Sequence, residues 1–145
     1  MKHADKARDL FLEGYNCSQA IACAFSDVTG IDEKTSALLA SSFGGGMGRM
    51  REVCGAVSGA LMVLGTVHGY SDPKANAEKK ELYALVRQFA DRFREENGSI
   101  ICRELLEGVS TSAGGNPEQR TGEYYKKRPC PELVYTAAAI LDEML

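Results

Sequence analysis

Apolar residues recur along the chain at steps of three and four, and no run alternates apolar with polar residues over the length of a strand. The pattern predicts an all-α chain whose helices are separated by turns marked with Gly or Pro. The first helical stretch covers about Ala4 to Phe25, with a break near Gly14. Leu10 and Phe11 form an apolar patch before the break. After it, Asn16 reads as an N-cap, and Gln19 three residues later completes a capping box. Ile21, Ala24 and Phe25 continue the apolar face to Gly30. Asp32 then caps a short helix through Thr35 to Ser42 that turns Leu38 and Leu39 inward.

Phe43-Gly44-Gly45-Gly46-Met47-Gly48 is a glycine-rich turn. The helix after it, from about Glu52 to His68, carries Val53, Ala56, Val57, Ala60, Leu64 and Val67 on one face. Gly55 and Gly59 lie four apart on another face, where a neighbouring helix or a cofactor can approach the backbone. Beyond Gly69 and Pro73, Ala75 to Glu96 is a long charged helix with Leu82, Leu85, Val86, Phe89 and Phe93 inward, ended by Asn97-Gly98. Ser99 caps a short helix holding Ile101, Cys102, Leu105 and Leu106. Gly108 to Arg128, with Gly114, Gly115, Asn116 and Pro117, reads as a long loop. The last helix starts at Pro131 and turns Leu133, Val134, Ala137, Ala138, Leu141 and Leu145 inward, a face that also offers a homodimer interface. The expected architecture is a single-domain bundle of five to seven helices, spanning residues 1–145, around the small-residue-rich helix Glu52–His68.

Composition narrows the class. The 145 residues are 44 % apolar and 26 % charged, enough for a packed core and against disorder. Lys and Arg number 17 against 20 Asp and Glu, and the net charge of −3 argues against a nucleic-acid binder. The charged start, Met1 to Asp9, does not read as a secretory signal. The longest uncharged stretch, Val53 to Val67, falls short of the roughly 20 residues of a membrane span. The expectation is a cytoplasmic protein without membrane insertion.

Five cysteines change the picture. In a reducing compartment they point to metal binding or redox chemistry before a disulfide framework. Cys17, Cys54, Cys102 and Cys130 each fall at or within about a turn of an expected helix start, where unpaired N–H groups and the helix dipole favour a thiolate. Basic neighbours add to this: Arg49 and Arg51 before Cys54, Arg103 after Cys102, and Lys126, Lys127 and Arg128 before Cys130. Cys54 is the expected attacking thiolate, titrating below about pH 7.5, with Cys17 or Cys102 as the resolving thiol. Cys23 sits in mid-helix, apart from this pattern. No C-x-x-C pair is present, so any joint site is assembled by the fold from four separate helices. Of the other candidates, the glycine-rich turn reads as a packing device rather than an anion cradle, His68 as a surface residue and His3 as part of a mobile terminus. Tyr124-Tyr125-Lys126-Lys127-Arg128 reads as a solvated loop.

Cys17, the segment Cys54-Gly55-Ala56-Val57-Ser58-Gly59, Cys102 and Cys130 together resemble the C_GCAxxG_C_C family, small prokaryotic proteins whose family name describes them as redox-active. The resemblance runs from Gly14 to Pro131 and implies a redox role for the four cysteines, with a link to transport systems. Three readings of function stand side by side. The first is a redox protein with an unidentified redox partner. Its cysteines either exchange thiols for a disulfide or hold an iron–sulfur cluster for electron transfer. The second, with a weaker claim to the cofactor, is a structural zinc site on Cys17, Cys54, Cys102 and Cys130. The third is a small-molecule or anion-binding accessory module associated with transport. Cofactor contact, on the first reading, falls to Gly55 and Gly59.

Overall fold

The computed structural model describes residues 2–107 and 129–145. Among them the only extended pairing is an isolated antiparallel bridge between Val53 and Ile101; every other regular element is helical. The all-α expectation therefore holds. The elements are α1 (Lys2–Leu12), α2 (Cys17–Ala24), α3 (Ser26–Thr29), α4 (Glu33–Ala40), a 3-10 turn (Ser41–Phe43), α5 (Gly44–Met47), α6 (Gly55–His68), α7 (Asn76–Asn97), α8 (Cys102–Leu105) and α9 (Cys130–Met144). The helical segments outnumber the five to seven expected, because α3, α5 and α8 are single turns too short to show a repeating apolar face. The loop expected over residues 108–128, with its basic run Tyr124 to Arg128, lies outside the described residues.

Local chemistry places the helix starts. Asn16 caps α2 with both bonds of a capping box: the Gln19 N–H donates to Asn16 Oδ1 at 2.9 Å, and the Asn16 N–H donates to Gln19 Oε1 at 3.1 Å. Asp32 caps α4 by accepting from the Thr35 N–H at 3.1 Å. The helix α2 is buried on nearly all sides, because α1, α4 and α6 surround it. In turn α9 lies along α1, and α6 packs on α7 and α9 as well as on α2. The phenyl rings of Phe11, Phe25, Phe89 and Phe93 are fully enclosed in the core.

Four inward assignments fail, the last of them at Leu145, which lies just past the end of α9 and is 40 % exposed. Leu38 and Leu39 are 67 % and 57 % exposed, because α4 lies against α2 through Ser36, Ala37 and Ala40 instead. On α7 only Phe89 and Phe93 are buried, while Leu85 and Val86 are half-covered. On α6 the inward row ends at Val63 and Leu64, and Val67 is exposed near the helix end. The last helix buries Leu133, Val134, Ala137, Ala138, Ile140 and Leu141 inside the molecule.

His3 is not in a mobile terminus. Its ring stacks on Phe25 with centroids 4.3 Å apart, Nδ1 stands 2.6 Å from Asp142, and Nε2 stands 2.9 Å from Asp27. The side chain thus clasps α1 to α3 and α9. His68 is exposed in the last turn of α6, as expected.

The close approach foreseen at Gly55 and Gly59 is that of α2. A β-carbon on Gly59 would lie 2.7 Å from the Ser18 carbonyl oxygen, and one on Gly55 would lie 3.1 Å from the Cys17 β-carbon. Gly65, on the same helix, has open space around it. Gly59→Ala should therefore lower the urea midpoint, since overpacking costs about 1–3 kcal/mol and outweighs the gain of about 1 kcal/mol in helix propensity. Gly65→Ala should leave the midpoint unchanged or raise it, with a gain in stability of up to about 1 kcal/mol. Equal effects of the two substitutions on urea unfolding would contradict this packing.

Candidate functional site

The four cysteines of the sequence pattern are brought to one place. Cys17 opens α2, Cys102 opens α8 and Cys130 opens α9, while Cys54 is the residue immediately before α6. All four line a cavity of about 50 Å³ together with Asn16, Arg51 and the apolar side chains of Phe11, Leu105, Leu106 and Leu133. None of the five cysteines is in a disulfide, and each is buried.

The bridge between Val53 and Ile101 aligns two of them. The Cys54 N–H donates to the Ile100 carbonyl at 2.8 Å, and the Cys102 N–H donates to the Glu52 carbonyl at 2.6 Å. Side chains alternate along extended backbone, so Cys54 and Cys102 project to the same face, opposite to Val53 and Ile101. Arg103 ties the pairing with an exposed two-pronged ion pair to Glu52 at 3.1 and 3.2 Å.

The glycine-rich turn is the wall on which this pairing rests. Gly45, Gly46, Met47, Gly48, Arg49 and Arg51 all have positive φ, between 61° and 71°. This is left-handed backbone, which costs a residue with a β-carbon about 1–2 kcal/mol. Met47, Arg49 and Arg51 bear that cost. Gly46 shows what the shape achieves: a β-carbon there would lie 2.6 Å from the Cys102 β-carbon and 2.7 Å from the Glu52 nitrogen. Only glycine lets the turn lie directly on Cys102. Backbone bonds from Arg51 N–H to the Gly45 carbonyl and from Glu52 N–H to the Gly46 carbonyl lock the turn in place. It is a packing device, as its sequence suggested.

Arg51 has a different partner from the one expected. The sequence places it before Cys54, yet its Nη1 donates to Cys102 Sγ at 3.8 Å. Left-handed geometry at Arg51 itself separates neighbours in sequence from neighbours in space.

Cys54 also departs from expectation. Its thiol is pushed up from 9.0 to about 12, chiefly by burial. The N–H groups of Ala56 and Val57 at the start of α6 pull it down, as helix-start reasoning requires, while Cys130 and Cys102 push it further up. Desolvation of a fully enclosed anion outweighs two hydrogen bonds. The expectation of a low-pKa Cys54 is therefore overturned. Cys23 stands apart in structure as in sequence: its thiol donates to the Glu33 carbonyl at 3.3 Å, and burial with the nearby Glu33 charge pushes its pKa up.

The cofactor expectation is overturned too. Among the described residues no group of three or more His, Cys, Asp or Glu side chains is arranged to hold a metal ion. Convergence on one cavity is not coordination. Apolar side chains share the lining with the four cysteines. Neither an iron–sulfur cluster nor a zinc site on Cys17, Cys54, Cys102 and Cys130 is supported. Gly55 also borders the cavity, and Gly59 faces α2.

The family model "Putative redox-active protein (C_GCAxxG_C_C)" matches residues 15–144, nearly the whole chain. The chain belongs to the C_GCAxxG_C_C family. Cys17, Cys54, Cys102 and Cys130, the four that share the cavity, all lie within the matched residues. No curated protein and no solved structure matches the chain. Among the described residues no helix is long and apolar enough to cross a membrane.

The raised Cys54 thiol has a stability consequence. Between pH 9.0 and about 12 the folded chain keeps a proton that the unfolded chain releases. The corresponding stability is complete below pH 9.0 and is lost as pH rises above it. Under reducing conditions, unfolding by urea should show the native chain losing about 1 kcal/mol more than Cys54→Ala between about pH 8 and about pH 10. Parallel pH profiles for the two proteins would show that Cys54 is not desolvated as described.

Proposed function

We propose that the chain is a thiol redox protein that cycles between dithiol and disulfide within the four-cysteine cavity. The observation that carries this reading is the convergence of Cys17, Cys54, Cys102 and Cys130, none of them in a disulfide, on one small space with Arg51 at its side. The family description points to the same chemistry. Oxidation joins two sulfurs and releases two electrons to an acceptor and two protons to solvent or base. Cys54 and Cys102, projecting from one face of the bridge, are the favoured pair.

The roles assigned to them differ. Arg51 beside Cys102 stabilises a thiolate there, so Cys102 is the attacking sulfur. Cys54, held protonated by burial, is the thiol that resolves. Cys17 and Cys130 complete the lining and are the alternative partners of Cys54. Cys23 takes no part.

Oxidation of the reduced chain with diamide, followed by thiol alkylation under denaturing conditions and peptide mass mapping, tests the reading. The expected result is loss of two thiols, a Cys54–Cys102 linked peptide and an unmodified Cys23. Five alkylated cysteines after oxidation, or a link that uses Cys23, would refute it.

A further inference from the structure

Three constraints at the cavity act together on whatever oxidises it. The first is access. Cys102 and Cys54 are 7 % and 4 % exposed. Thiol–disulfide exchange needs the attacking sulfur in line with both sulfurs of the substrate disulfide. A peptide or glutathione disulfide has no room to adopt that line at a sulfur so covered. The second is size. A cavity of about 50 Å³ exceeds the roughly 10–15 Å³ that admits one water and suits a molecule of a few heavy atoms. The third is polarity. Among the described residues, the side chains of the lining are apolar apart from Asn16, Arg51 and the thiols. The Asn16 amide is already engaged, donating to the Ser41 carbonyl and accepting from Gln19. That leaves the guanidinium, with five N–H donors in a plane, as the group able to serve both the sulfur and a second acceptor beside it.

We infer that the oxidant this site takes is a small hydroperoxide, hydrogen peroxide being the simplest, and that Cys102 is the sulfur it oxidises. The inference rests on the dithiol–disulfide reading above and names its substrate class. The Cys102 thiolate attacks one oxygen of the peroxide. An S–O bond forms, the O–O bond breaks, and the second oxygen leaves as hydroxide, which takes up a proton to become water. Arg51 donates to the sulfur before attack and to the departing oxygen during it. Cys102 is then a sulfenic acid. The Cys54 sulfur attacks Cys102 Sγ, the S–O bond breaks, and the hydroxyl departs with the Cys54 proton as a second water. Two thiols and one peroxide give one disulfide and two waters. With Cys54 on the same face of the bridge, the oxidation stops at the disulfide and does not climb to a sulfinic acid.

The test is single-turnover oxidation of the reduced full chain at neutral pH, with hydrogen peroxide and glutathione disulfide at equal concentration. Intact mass and dimedone trapping of sulfenic acid are the readouts. Peroxide is expected to remove two thiols faster than glutathione disulfide by about 10-fold or more, and Cys23→Ala should behave like the native chain. Cys54→Ser should accumulate a dimedone adduct on Cys102. Arg51→Gln should slow the peroxide reaction about 10-fold or more, the worth of a charge-assisted hydrogen bond, and Arg51→Lys should restore part of the rate. Circular dichroism checks that each variant is folded. A dimedone adduct on another cysteine, an unchanged rate in Arg51→Gln, or faster oxidation by glutathione disulfide would overturn the inference. If diamide forms the Cys54–Cys102 disulfide and peroxide does not, the substrate assignment fails alone. If neither oxidant forms it, the dithiol reading fails as well.

Discussion

Two backbone hydrogen bonds tie together stretches of chain 48 residues apart: Cys54 N–H to the Ile100 carbonyl, and Cys102 N–H to the Glu52 carbonyl. Around this short pairing the rest of the site is arranged. It sets the start of α6 against the start of α8 and puts two thiols on one face. It also gives the left-handed turn a surface to lie on. Backbone at Met47, Arg49 and Arg51 is strained, and a strained turn persists only where its surroundings over-determine it. Here the surroundings are the bridge, the bonds back to Gly45 and Gly46, and direct contact with the Cys102 side chain.

The chemistry of the cavity is a contest between two effects of similar origin. Helix starts offer N–H groups and partial positive charge to a sulfur. Gathering several helix starts in one place also expels water, and lost hydration raises thiol pKa values. At Cys54 the second effect dominates. At Cys102 a guanidinium stands beside the sulfur. One cavity therefore holds thiols in unequal electrostatic settings, which a stepwise reaction between two sulfurs requires.

What could be read from the sequence was local. The capping box at Asn16, the cap at Asp32 and the helix starts near Cys17, Cys54, Cys102 and Cys130 depend on residues a few positions apart, and the structure bears them out. The family resemblance picked out the four cysteines, while their meeting at one cavity is a feature of the fold. Three features were out of reach because they depend on distant residues. The bridge pairs single residues, so it leaves no alternating pattern to detect. The partner of Arg51 is decided by a positive φ that composition does not announce at arginine. The sign of the Cys54 shift depends on how completely other elements cover it. Leu38 and Leu39 show the same limit in the core: both are apolar, yet the side of α4 that meets α2 is the one carrying small residues.

The bridge encloses α6 and α7, so residues 54 and 102 are the two ends of a long loop. In the folded chain that loop is already closed by backbone hydrogen bonds. A covalent bond between its ends would act mainly on the unfolded ensemble, whose conformational freedom it curtails. For a loop of this length the chain-entropy argument gives about 4 kcal/mol. Resistance to unfolding and the redox state of the two sulfurs then become linked quantities, so that a reducing environment would loosen the molecule and an oxidising one would tighten it.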